Sequence, residues 1–84
     1  MTPRRVEFTR SADRDLGRLA ATDRSVIIKA VESLAAGDPV DFKKLAGYDP
    51  PRWRLRVGRF RVIFALLPGR VIVERIGDRR DVYR

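Results

Sequence analysis

Eighty-four residues carrying a formal net charge of +8 leave room for one domain, residues 1–84, and no second core. Apolar side chains make up 44% and charged ones 36%, a balance that folds rather than staying disordered. Cysteine and histidine are both absent, which excludes disulfides, Cys-ligated metal sites and any imidazole acid–base mechanism.

The first predicted element is a short strand from Arg4 to Phe8, where Val6 and Phe8 alternate with Arg5 and Glu7. Ser11 is placed to N-cap a helix with Asp13 and Asp15 near its first turn, and Ala12, Leu16, Leu19 and Ala20 share its apolar face. Thr22 or Asp23 caps a second helix, whose stripe is Ile27, Ala30, Val31, Leu34 and Ala35. Gly37 ends it ahead of Asp38-Pro39. The short connection predicts an antiparallel helical hairpin. Residues 38–51 read as a loop, broken by Gly47 and Pro50-Pro51. The period then changes to two. Arg52 to Val57, Phe60 to Leu67 and Val71 to Ile76 are strands. Gly58-Arg59 suits a type II′ hairpin turn, and Pro68-Gly69 marks a second turn of two to four residues. The fold class is α+β: an N-terminal strand, a helical hairpin, then a curled antiparallel sheet of three to four strands.

The longest apolar run is Val62 to Leu67, far short of the ~20 residues that a membrane helix needs. The first fifteen residues hold four arginines and three acids without an apolar h-region, so no signal peptide is expected. The expected location is the cytoplasm.

The charge is lopsided. Residues 1–42 hold seven bases and seven acids, whereas residues 43–84 hold twelve bases and four acids. Sixteen of the nineteen bases are arginine, whose planar fork suits phosphate. The excess is either a solvated basic face or a polyanion site. The predicted hairpin favours the second. A two-residue turn sets Val57 against Phe60, Leu55 against Val62 and Trp53 against Phe64, on one face toward the helices. On the other face Arg56 opposes Arg61, Arg54 opposes Ile63 and Arg52 opposes Ala65. Opposed like charges cost roughly 0.2–1 kcal/mol, and an anion between them turns repulsion into charge-assisted hydrogen bonds. The alternative is that both arginines fan into water or meet Glu74. Trp53 and Phe64 read as core. Tyr48, in a loop, either stacks on a base or anchors its loop. Nucleic acid is the favoured polyanion, because no helix pairs a basic face with a strongly apolar one as membrane binding requires.

The segments Arg54-Leu55-Arg56-Val57-Gly58-Arg59-Phe60-Arg61-Val62-Ile63-Phe64 and Ile76-Gly77-Asp78-Arg79-Arg80-Asp81-Val82-Tyr83-Arg84, with Lys43-Lys44-Leu45-Ala46-Gly47-Tyr48 before them, resemble the RelE branch of the RelE/ParE superfamily of type II toxins. The resemblance spans essentially the whole chain. It implies a fold akin to small microbial ribonucleases. It also implies a metal-independent endoribonuclease without cofactor, which cuts mRNA in the ribosomal A site. There the 2′-hydroxyl attacks the adjacent phosphate, giving a 2′,3′-cyclic phosphate and a 5′-hydroxyl. The implied partners are the ribosome with its mRNA and a cognate antitoxin that blocks the basic groove, expected to present acidic side chains.

By this resemblance the catalytic set is Arg54, Arg56, Arg61, Arg79 and Tyr83, with Arg52, Lys44 and Arg80 as further RNA contacts. Arg54 and Arg56 stand where family members carry lysine at one or both positions. Arginine keeps its proton, so neither is a general base. Both can still neutralise a pentavalent phosphate. The proton acceptor is then Tyr83, whose charged form nearby arginines favour, or Asp78 or Asp81 unless Arg79 or Arg80 holds them. Two further readings stand beside this one. One is a ParE-like inhibitor of DNA gyrase without RNA chemistry. The other is a nucleic-acid-binding or catalytically weak remnant that pairs with its antitoxin.

Overall fold

The computed structural model describes residues 3–80 and residue 82. Its elements are β1 (Arg5–Phe8), α1 (Arg10–Gly17), α2 (Ala21–Ala36), β2 (Phe42–Lys44), β3 (Trp53–Val57), β4 (Phe60–Leu67) and β5 (Arg70–Asp78). The strands form one sheet in the order β1-β5-β4-β3-β2. The α+β class is as expected, but the sheet is larger and mixed. β1 joins it parallel to β5, with Val6 beside Val71 and Phe8 beside Val73. β2 lies inside the segment expected to be loop and pairs with β3. Its three residues are all exposed and carry no alternation long enough to read; β3 supplies the pairing that makes them a strand.

Both helices lie on one face of the sheet. α1 begins two residues earlier than the Ser11 cap implies, because Thr9 takes that role. Its Oγ1 accepts from the Ala12 N–H at 3.2 Å and donates to the Glu74 carbonyl at 3.2 Å. The choice of Thr9 therefore satisfies a helix end and a strand at once. α1 stops at Gly17, so Leu19 and Ala20 fall in the connection rather than on the helix. α2 starts after Ala20 with no side-chain cap, earlier than Thr22 or Asp23. Its C-terminus ends as predicted. Gly37 has φ 87°, its N–H meets the Leu34 carbonyl, and the Asp38 N–H reaches the Ser33 carbonyl. That is a Schellman closure.

The core sits between helices and sheet. Ala12 and Leu16 of α1 and Ile27, Val31 and Leu34 of α2 pack with Leu55, Val62, Phe64, Val71 and Val73. Each large apolar side chain buried there contributes about 1.5–3 kcal/mol. Trp53 stacks on Phe64 with ring centroids 6.4 Å apart, which places both on the core face as expected.

The β3–β4 hairpin has the predicted register: Val57 with Phe60, Arg56 with Arg61, Leu55 with Val62, Arg54 with Ile63 and Trp53 with Phe64. Gly58 has φ 58° while Arg59 has no positive φ, as a type II′ turn requires. β3 begins at Trp53, so the expected pair of Arg52 with Ala65 lies outside this ladder. The second turn is the two residues Pro68-Gly69, with Gly69 at φ 71° and Leu67 paired to Arg70. Proline first and a positive-φ glycine second is the pattern of a type II turn.

β5 extends through Asp78, two residues beyond the predicted end, and contains a bulge. Ile63 pairs with Arg75 and Phe64 with Val73, which leaves Glu74 as the extra residue. The bulge shifts the buried phase from Val71 and Val73 to Ile76. Past the end of β1, α1 covers the open edge of β5. Asp15 Oδ2 accepts from the Ile76 N–H at 2.9 Å and from Arg75 Nε at 3.3 Å.

Candidate nucleic-acid interface

The sheet face away from the helices carries the arginines. Directly paired residues point to the same side, so register defines rows across this face. One row runs Arg56, Arg61, Gly77. The next runs Lys43, Arg54, Ile63, Arg75. Arg54, Arg56 and Arg61 thus share a surface.

Their side chains behave differently. Arg56 is exposed and has no carboxylate within salt-bridge distance among the described residues. Arg54 is half-buried, and its Nε is shut off from solvent with no acceptor among the described residues. Buried donors are nearly always satisfied, so an acceptor for this nitrogen is to be sought beyond the described residues or in a bound ligand. Arg61 is only 7% exposed. Its Nη1 donates to the Gly58 carbonyl at 2.8 Å and to the Phe60 carbonyl at 2.9 Å. It braces the turn rather than fanning toward Arg56. Val82, itself buried, returns over Gly77, the neighbour of Arg61 in the row.

Arg79 and Arg80 follow β5 in a turn and are both exposed. The Arg79 N–H bonds to the Arg59 carbonyl at 3.0 Å, which sets Arg79 beside the hairpin turn at the Arg56–Arg61 end of the face. Asp78 Oδ1 accepts from the Arg80 N–H at 3.1 Å, so this carboxylate shapes the turn. Tyr83, expected in the catalytic set, and Asp81 lie outside the described residues.

Two expected contacts are placed elsewhere. Lys44 pairs with Trp53 and therefore shares the core-side face; Lys43, paired with Arg54, is the lysine on the arginine face. The doublet Lys43-Lys44 left this ambiguous until β2 gave it a register. Arg52 is held by Glu74 through its Nε and by the Pro50 and Pro51 carbonyls through Nη1, at 3.2 and 3.1 Å. Glu74 therefore meets Arg52 and not the Arg56–Arg61 pair. The bulge that aims Glu74 was the signal missed: buried positions spaced 71, 73, 76 break the two-residue period.

No described residues cluster in a way that would hold a metal ion. No helix among them is long and apolar enough to cross a membrane. The arrangement is a positively charged surface on the β3–β4 hairpin, where Arg54 and Arg56 have no carboxylate partner among the described residues and Lys43 and Arg79 are exposed cations. It can bind and neutralise phosphate.

Comparison with known proteins agrees with this architecture. The toxin of the RelBE2 toxin–antitoxin complex from Mycobacterium tuberculosis superposes with a TM-score of 0.80 at 24% identity, covering 96% of this chain and 97% of that one. The archaeal RelE–RelB complex from Pyrococcus horikoshii gives a TM-score of 0.75 at 18% identity, with 95% and 99% covered. The RelB–RelE complex from Methanococcus jannaschii gives 0.70 at 23% identity, with 92% and 94% covered. No curated protein sequence matches the chain. The family model that matches, over residues 6–83, is that of the ParE toxin of the type II toxin–antitoxin system parDE. The solved relatives carry RelE names and the family model a ParE one, and both lie within a single superfamily. The chain belongs to the ParE toxin family, and thus to the RelE/ParE superfamily of type II toxin–antitoxin toxins.

Proposed function

We propose that this toxin is a ribosome-dependent mRNA endoribonuclease, acting in the cytoplasm and held inactive by a cognate antitoxin. The observation that carries the reading is the pair Arg54 and Arg56 on one strand, both facing away from the core with no carboxylate partner among the described residues. A phosphate over this strand would receive charge-assisted hydrogen bonds from both. Arg79, at the same end of the face, can reach the same anion.

In the proposed reaction the O2′–P bond forms as the P–O5′ bond breaks. The products are a 2′,3′-cyclic phosphate and a 5′-hydroxyl. The proton leaving the 2′-hydroxyl goes to Tyr83 in its phenolate form, and the leaving 5′-oxygen takes a proton from solvent. Arg54 and Arg56 stabilise the charge that builds on the pentavalent phosphorus, the contribution that usually dominates such catalysis. Arg61 supports the turn that presents them. Tyr83→Phe is expected to slow cleavage on the ribosome; cleavage at the unmutated rate would reassign the proton acceptor.

The relatives from M. tuberculosis, P. horikoshii and M. jannaschii are complexes with antitoxins, which supports a cognate antitoxin here. Its contact surface should be acidic, because opposite potentials speed and specify association.

A second reading, poisoning of DNA gyrase without RNA chemistry, is favoured by the ParE family match and by arginine at both β3 positions. Mapping transcript 5′ ends after controlled expression separates the two. Codon-aligned cuts support the ribonuclease; gyrase–DNA cleavage complexes with intact transcripts support the alternative.

A further inference from the structure

The outer face of the sheet carries arginines at both ends, and only one end belongs to the site above. Arg70 pairs with Leu67 and Arg5 with Arg70, so both point to the side that bears Arg56 and Arg61. Leu67 stands six residues along β4 from Arg61, about 20 Å at the usual strand rise. Between the two ends this face is apolar, with Ile63 and Ala65 buried and Ile72 half-buried. One phosphate cannot touch both ends.

Arg5 and Arg70 repeat the feature that marks the first site. They are like charges side by side on neighbouring strands, an unfavourable arrangement in a sheet. Glu7 offsets it for Arg70, whose Nε donates to Oε2 at 2.5 Å and whose Nη2 donates to Oε1 at 3.0 Å. One guanidinium thus engages both oxygens. Arg4 and Arg5 are exposed and have no carboxylate within salt-bridge distance among the described residues. Their backbone is fixed nonetheless. The Arg4 N–H donates to the Ala35 carbonyl near the end of α2 at 2.9 Å, and the Arg5 N–H to the Gly69 carbonyl at 2.8 Å. Arg4, Arg5 and Arg70 line one notch of about 540 Å³ with Pro3 and Gly69, and no acid lines it. By contrast, Arg52 and Arg75, which lie between the two ends, are each held by a carboxylate, Glu74 and Asp15.

We propose that this notch is a second anion site, which binds an oligophosphate independently of the Arg54–Arg56 surface. A lone carboxylate is satisfied by one guanidinium, as Glu7 and Arg70 show. Three guanidiniums around one notch match the many oxygens of linked phosphoryl groups, to which the arginine fork bonds in bidentate fashion. The volume admits more than one such group. The linked phosphates come either from the backbone of a nucleic acid or from a free polyphosphate chain.

The test is isothermal titration of the full chain with sodium tripolyphosphate at low salt. Wild type should take up about two equivalents, Arg4→Gln with Arg5→Gln about one, Arg54→Met with Arg56→Gln about one, and the fourfold variant almost none. Arg70 stays in place to hold Glu7, and thermal unfolding confirms that each variant is folded. Titrating oligouridine binding against salt then separates the sources. If Arg4→Gln with Arg5→Gln lowers the slope by about 0.7 unit per arginine removed, the phosphates are those of a nucleic acid. If the slope holds while one equivalent of tripolyphosphate is lost, the ligand is a free oligophosphate. Either result upholds the site. An uptake by Arg4→Gln with Arg5→Gln equal to that of wild type overturns it. So does an oligoglutamate peptide that binds there as tightly as tripolyphosphate, because charge alone would then account for the cluster.

Discussion

Arg56 and Arg61 stand directly opposite each other on β3 and β4, yet their guanidiniums have different tasks. Arg61 is buried against the Gly58 and Phe60 carbonyls, while Arg56 is exposed and has no carboxylate partner among the described residues. Substitutions at the two positions should therefore separate stability from binding. Arg56→Gln removes a like-charge neighbour and should leave stability unchanged or raise it by about 0.2–1 kcal/mol. RNA affinity should fall, and the salt dependence should lose about one unit of slope. Arg61→Gln strips the donor from two carbonyls and should cost about 1–3 kcal/mol of stability. Urea denaturation with RNA binding titrated against salt checks both. A stable Arg61→Gln protein with a reduced slope would reverse the two roles.

Arg54 offers the same contrast within one side chain. Its buried Nε lacks an acceptor among the described residues, so Arg54→Met keeps the stem and removes that donor. Stability should hold or rise by about 1 kcal/mol while phosphate binding and cleavage are lost. A loss of stability comparable to a core truncation would mean that Arg54 serves the fold instead.

The hairpin that presents these groups depends on one backbone conformation. Gly58 has φ 58°, and nothing lies within 4 Å of where a Cβ would stand. Gly58→Ala should therefore cost about 1–2 kcal/mol from backbone strain alone, with no steric clash. Equilibrium denaturation reads this directly; an unperturbed midpoint would show that the turn adapts.

β1 is held to the start of β5 by an ion pair, with Arg70 Nη2 donating to Glu7 Oε1 at 3.0 Å. The Arg70 guanidinium holds the Glu7 carboxyl below its ordinary range, first through the hydrogen bond and then through charge. A depressed folded-state pKa contributes stability that is present above the unfolded value and lost as pH falls through the folded one. The gap in thermal midpoint between wild type and Glu7→Gln should thus be seen at neutral pH and close in acid below the carboxylate range. A gap that widens in acid would contradict the assignment. The effect should be small, because the pair is solvent-exposed.

Much of the hairpin was legible because a two-residue glycine turn fixes register, and register fixes faces. Five pairs followed from Gly58-Arg59 alone. What escaped depends on partners distant in sequence. β2 exists because β3 offers it an edge. Thr9 rather than Ser11 caps α1 because its hydroxyl also meets Glu74, sixty-five residues away. Arg52 looked like a third free arginine until the β5 bulge turned Glu74 toward it. Lys43 and Lys44 were indistinguishable until their strand had a register. The arginine face was thus readable from local spacing, whereas the pairing state of each arginine required the tertiary fold.

The most direct trial of the central claim is a single-turnover reaction of purified toxin with ribosomes carrying mRNA and an empty A site, followed by analysis of the RNA ends. The prediction is a cut within the A-site codon that leaves a 2′,3′-cyclic phosphate and a 5′-hydroxyl, abolished by Arg54→Met with Arg56→Gln and, for the wild-type toxin, suppressed by added antitoxin. Intact mRNA from a toxin that still binds its antitoxin and traps gyrase on DNA would contradict it.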